Sequence, residues 1–265
     1  MNVNLQPRKI SGINRIGLYT LVSKEVGRFM TVYMQTLVAP VITSLLFFCI
    51  FALAFGGVER IMGNISYLVF IAPGLAMMTM AQNAFANTSS SIGISKIQGS
   101  IVDILMPPLS AAELFTGYMI GGVLRGIFVG VLTLVTISIF VEIEIVNLAV
   151  ILAFGILGTY LLSTIGIATG IWAEKFDQMA TVTNFLITPL TFLSGTFYSI
   201  EKLPEFWRNL AYIDPFFYMI DGFRAGFTGH SEGGILTGLT VLIICNIVMT
   251  FAVLRMLKTG YKIKN

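Results

Sequence analysis

The residues that could do chemistry in this chain are few, and most are uncharged polar side chains set in apolar runs. Thr79, Asn83, Asn87 and Ser90 follow at steps of four, four and three, which puts all four on one stripe of a helix. Asn184, Thr188, Thr191 and Gly195 repeat the pattern at steps of four, three and four. Asn and Thr in an apolar helix either bond neighbouring helices together or form the wetted wall of a pathway. The spacing leaves both open. Arg125 is the only charge between Leu114 and Val141, and an arginine deep in a span is costly unless something receives it. Glu113 lies twelve residues away, about 18 Å along a helix, so the two cannot pair directly. Snorkelling, a partner on another helix and a water-filled cavity all remain open for Arg125.

Catalytic chemistry is poorly supplied. The one histidine, His230, stands in a polar loop without a ligand-spaced cluster of carboxylates or cysteines, so no metal site is expected. There is no Gly-x-Ser-x-Gly elbow, no His-Glu-x-x-His helix and no phosphate-cradling Gly-x-x-x-x-Gly-Lys-Ser/Thr loop. The chain is therefore not expected to hydrolyse ATP on its own. Cys49 and Cys245 lie in the first and last apolar runs and read as small apolar filler.

The elements that must carry these side chains are membrane spans. Charged residues make up 11% of the chain and hydrophobic ones 56%, against about 25% charged in soluble domains. Residues 29–58, 61–95, 145–173, 178–200 and 233–254 hold no Asp, Glu, Lys or Arg, and 114–141 holds only Arg125. Each exceeds the roughly 20 helical residues that cross a bilayer, and none shows barrel alternation. The expected fold is an all-α integral membrane protein with spans at 32–56, 66–89, 112–138, 147–172, 179–198 and 235–257. Ala52-Leu53-Ala54 resembles a signal cleavage site, but the preceding apolar run is too long for a signal peptide.

Lys and Arg set the orientation. With the N-terminus inside, Arg8, Lys9, Arg15, Lys24, Arg28, Lys96, Lys175, Arg255, Lys258, Lys262 and Lys264 fall on the inner side, and only Arg60, Lys202, Arg208 and Arg224 outside. Both termini are expected to be cytoplasmic. Residues 13–29 carry Ile16, Tyr19, Val22, Val26 and Phe29 at helical spacing, which predicts an amphipathic helix at the inner surface. Residues 96–106 predict a short cytosolic helix stopped by Pro107-Pro108; it is either a docking element or a turn. Pro204 and Pro215 predict two short helices at the outer interface between the last two spans.

The late segment carries an ordered series: Pro189-Leu190-Thr191-Phe192-Leu193-Ser194-Gly195-Thr196-Phe197-Tyr198, then Leu203-Pro204 and Trp207, then Asp214-Pro215-Phe216-Phe217-Tyr218 and Asp221-Gly222-Phe223-Arg224. Earlier stand Asn87-Thr88-Ser89-Ser90-Ser91, Met106-Pro107-Pro108-Leu109-Ser110 and Glu113. On these motifs the chain resembles, over essentially all its length, the membrane-spanning permease subunit of ATP-binding-cassette type-2 exporters. The resemblance implies one permease domain over residues 1–265, a homodimer in the bacterial inner membrane, and two separate ATPase subunits that bind ATP and Mg. It makes 96–106 a coupling helix and 13–29 a connecting helix, with Lys24, Glu25, Arg28, Lys96, Gln98 and Asp103 at the ATPase interface. It favours a pathway for Thr79, Asn83, Asn87, Asn184, Thr188 and Thr191, with outward movement of a drug, lipid or lipid-linked glycan by alternating access. The rivals are a secondary transporter or channel not coupled to ATP, and a membrane-embedded enzyme. Neither a cofactor nor a nucleic-acid partner is expected of this chain itself.

Overall fold

The computed structural model describes residues 12–55, 61–62 and 65–262. Arg8, Lys9, Arg60 and Lys264 of the charge asymmetry, and residue 56 at the end of the first expected span, lie outside that range. Helix dominates. In chain order come α1 (Arg15–Thr31), α2 (Ala39–Phe55, entered through a π turn at Met34–Val38), α3 (Tyr67–Ile97), α4 (Ile101–Leu105), α5 (Ala111–Ile137) and α6 (Leu148–Trp172). Then follow α7 (Phe176–Val182), a π turn (Thr183–Ile187), α8 (Thr188–Leu193), α9 (Glu205–Ile213), α10 (Pro215–Thr228) and α11 (Ile235–Thr259). Two-residue strands, Ile61–Met62 and Ile65–Ser66, pair antiparallel ahead of α3.

Five helices among the described residues are long and apolar enough to span: Met34–Ala54, α3, α5, α6 and α11. The span expected at 179–198 is instead a composite of α7, the π turn and α8 that ends at Leu193. Both π turns lie just ahead of a proline, Pro40 in α2 and Pro189 in α8. A proline brings no N–H to the helical ladder, and a widened turn is a common local adjustment where the ladder is disturbed.

α3 is the hub. Most of its side chains are buried, and it packs chiefly on α5 and α6. Gly166 and Gly170 of α6 admit the α3 backbone: a Cβ on Gly166 would meet the Phe85 carbonyl oxygen at 2.6 Å. α2 and α11 leave much of their apolar surface exposed, as lipid-facing helices do.

α1 forms as expected, but only the later part of the face its periodicity named, Val26 and Phe29, packs inward. Leu21, Glu25 and Phe29 are buried, whereas Ile16 and Tyr19 are exposed. The reason lies on α5. Gly117 and Gly121 leave room for Leu21 and Glu25, one turn matching one turn, and a Cβ on Gly121 would sit 2.6 Å from the Glu25 Cβ. α1 thus runs alongside the start of α5. Asn14 caps α1 by accepting from the Gly17 N–H at 3.0 Å, and its own N–H donates to Glu113. Glu113 also closes the capping box of α5 with Ser110.

Candidate functional site

The polar stripe of α3 is real, and its two ends do different things. Thr79 and Asn83 face a groove of about 540 Å³ between α2, α3 and the α7–α8 composite. Gln35, Thr43 and Ser44 line it from the first span, Gln82 from α3, and Thr183 and Thr188 from the composite. Phe47, Met78, Phe85, Ile187 and Phe192 supply its apolar walls. Some of the polar groups also hold the walls together: the Ser44 and Thr79 hydroxyls are 2.5 Å apart, and Gln82 donates to the Thr191 hydroxyl at 3.1 Å. Groove-lining positions and interhelical hydrogen bonds, the features that the two alternatives require, occur along the same helix.

Three expected pathway residues lie off the groove. Asn184 is exposed, because the π turn at Thr183–Ile187 changes the angular step and breaks the stripe shared with Thr188. Thr191 is fully buried as the partner of Gln82. Asn87 is fully buried and accepts from Arg28. Sequence reading missed Gln82, Ser44, Thr43, Gln35 and Thr183. Each is a polar residue inside an apolar tract, but Gln82 and Thr183 sit off the stripes of the second and fifth spans, and Gln35, Thr43 and Ser44 belong to the first span.

Below the groove lies a buried ionic cluster. The Arg28 guanidinium donates to the Asn87 carbonyl at 2.6 Å, to its Oδ1 at 2.9 Å and to the Ser90 hydroxyl at 3.1 Å. Glu25, 0% exposed, lies 3.6 Å from Arg28 and accepts from the Ser91 hydroxyl at 2.7 Å. Burial pushes the Glu25 carboxyl above its usual range, and Arg28 and Ser91 oppose that rise. These contacts fasten α1 to α3. Of the residues expected at the ATPase interface, Glu25 is fully buried here, and Arg28, 30% exposed, gives its hydrogen bonds to α3.

Lys96, half-buried, is also engaged within the chain. Its ammonium donates to the carbonyls of Ile171 and Ala173 at 2.6 and 2.8 Å, where it caps the negative end of α6. Lys24, Gln98 and Asp103 are exposed. With Val102 and Met106, also exposed, they form an exposed surface on α4 and one side of α1. Gly99 (φ +76°) turns the chain into α4. Near Lys96, Glu174 and Lys262 pair at 2.7 Å, which lowers the carboxyl and raises the ammonium from their ordinary values.

The ordered late motifs build the opposite end. α9 keeps Phe206, Trp207, Leu210 and Ile213 exposed, as an interfacial helix would. α10 departs from the interfacial expectation: Phe216 through Phe227 are buried against α3, α6 and α11. Asp214 caps it through the Phe216 N–H at 2.9 Å and holds Ser194 at 2.8 Å. Arg224, 3% exposed, donates to the carbonyls of Phe70, Gly195 and Thr196. Gly74 is what admits it, for a Cβ there would lie 2.8 Å from the guanidinium. Asp221 accepts from Ser231, Glu232 and Gly233, and Glu232 from the Ile200 N–H at 3.0 Å. The motif residues hold together the loop between α10 and α11 and the turn after α8. His230 is exposed, and no cluster able to hold a metal occurs among the described residues.

Comparison with known proteins is consistent with this architecture. A family profile described as ABC-2 type transporter matches residues 17–228. Over 229 residues the chain is 39% identical to the inner membrane transport permease YadH of Escherichia coli (strain K12), covering 86% of this chain and 90% of that protein. The protein of the same name from Shigella flexneri matches to the same extent.

Proposed function

This chain belongs to the ABC-2 type transporter family, and from that premise we propose that it exports an apolar or amphiphilic substrate outward across the bacterial inner membrane. It is a multi-pass permease. On this reading a separate ATPase subunit, in two copies, binds ATP and Mg and docks on α4 and the outer side of α1. The permease pairs with a second copy of itself, and both termini are cytoplasmic.

The observation that carries the reading is the groove. It lies between α2, the hub α3 and the α7–α8 composite, and each of the three lines it with both polar and apolar side chains. Such a surface accepts a molecule that has both polar and apolar parts. Motion transmitted from α4 and α1 reaches α3 through Arg28, Asn87 and Ser90, and α2 and the composite are free to reseat against it. The substrate in this scheme is a drug, lipid or lipid-linked glycan.

The test is reconstitution of the permease with its cognate ATPase in proteoliposomes, reading substrate movement with ATP, with ADP and under an ion gradient alone. Movement that requires ATP supports the reading. Movement driven by the gradient without the ATPase would make the chain a secondary transporter or channel and overturn it.

A further inference from the structure

Two buried arginines of this molecule are received in opposite ways. Arg224 fills its fork with three carbonyl oxygens and feels the opposing charges of Asp221 and Glu232. Arg125, 8% exposed, makes one hydrogen bond, from Nη2 to Asn83 Oδ1 at 3.0 Å. Its Nε is sealed without a partner. No carboxylate of the described residues pairs with it, and the charge that acts on it is that of Arg28, of the same sign. Glu25, which balances Arg28, is already engaged by Ser91. One positive charge therefore stands uncompensated in the core.

Its position is as informative as its charge. Asn83, the one acceptor for Arg125 among the described residues, is itself part of the groove wall, so the guanidinium stands directly behind a polar position of that wall. Buried cations are kept where something pairs with them, and a planar guanidinium suits a carboxylate, phosphate or sulfonate with two oxygens to offer.

We propose that Arg125 is an anion-binding residue of the groove and that the substrate is an anionic amphiphile. Its charged group displaces the Asn83 carboxamide from Arg125, and its apolar part lies along Phe47, Ile187 and Phe192. This rests on the transport reading above. It narrows the substrate class and gives the one charged residue between Leu114 and Val141 a role.

The test uses the purified permease in neutral lipid nanodiscs, without ATPase or nucleotide, so it can fail while ATP-driven transport stands, and the reverse. The probes are dodecyl phosphate, neutral dodecyl maltoside, dodecyltrimethylammonium and inorganic phosphate, read as saturable shifts in thermal unfolding. Dodecyl phosphate is expected to stabilise the protein in a salt-sensitive manner, and the other three are not. Arg125→Gln should lose the response. Asn83→Asp gives Arg125 a resident carboxylate, so it should raise the unfolding temperature without ligand and also lose the response. That second variant decides the matter if Arg125→Gln fails to assemble. An equal response to dodecyl maltoside, a response that survives Asn83→Asp, or a lowered unfolding temperature in that variant would each overturn the proposal. Inorganic phosphate acting as well as dodecyl phosphate would assign the site to a soluble anion and overturn the amphiphile.

Discussion

Arg224 shows what a buried charge needs in order to be structural. Its three carbonyl acceptors come from α3 and from the turn after α8, and the Phe70 ring lies 3.7 Å from the guanidinium carbon. Removing the side chain leaves three carbonyls short of a donor inside the fold. Arg224→Met is expected to destabilise the permease by about 3–5 kcal/mol, the cost of breaking a buried charged network. Arg224→Lys should rescue little, because an ammonium cannot fill a planar fork. Melting of the detergent-purified variants checks both; wild-type melting of either would refute the assignment. The motif around Arg224 was visible in the sequence, but its structural purpose was not, because Gly74 and Gly195 become its neighbours only after folding. The burial of Glu25 was hidden for the same reason. A carboxylate beside Lys24 and Arg28 reads as a solvated face until Gly121 of α5 makes room for it.

At the scale of elements, the spans at 66–89, 112–138, 147–172 and 235–257 correspond to α3, α5, α6 and α11 within a few residues at most ends; α3 continues to Ile97, well past its expected end. Charge-free tracts bound a span whatever its neighbours, so this much was legible. The two π turns were not, since hydropathy takes no account of a widened turn. Pro40 and Pro189 were the available clue. If the turns they follow act as hinges, Pro189→Ala should lower transport while leaving assembly and basal ATPase activity close to wild type. Unaltered transport by that variant would make the π turn a passive feature. Docking separates along similar lines. Asp103→Arg on exposed α4 should weaken ATPase binding with little effect on melting. Lys96→Glu should instead lower the melting temperature, because it places an anion against the carbonyl end of α6. Loss of ATPase binding by Lys96→Glu at normal stability would return that residue to the interface.

Across the whole molecule, two differently built ends face one another along the bundle. One carries exposed α4 and the basic ends of α1 and α11; the other is the loop region held by Arg224 and Asp221. That asymmetry and the Lys/Arg distribution predict that a cysteine at Thr259 is labelled only from the cytosol and one at His230 only from outside. Reversed labelling at both would invert the orientation. Between the ends lies the groove, and its role as the pathway is the central claim. Thr188 tests it most directly, because its side chain lines the groove and, unlike Gln82 and Thr191, forms no hydrogen bond that joins two helices. The measurement is ATP-dependent transport by Thr188→Trp in proteoliposomes, with permease recovery and basal ATP hydrolysis recorded on the same preparation. The account predicts transport reduced about tenfold or more with recovery and hydrolysis preserved. Wild-type transport by Thr188→Trp, or a loss of transport that only follows loss of assembled protein, would contradict it.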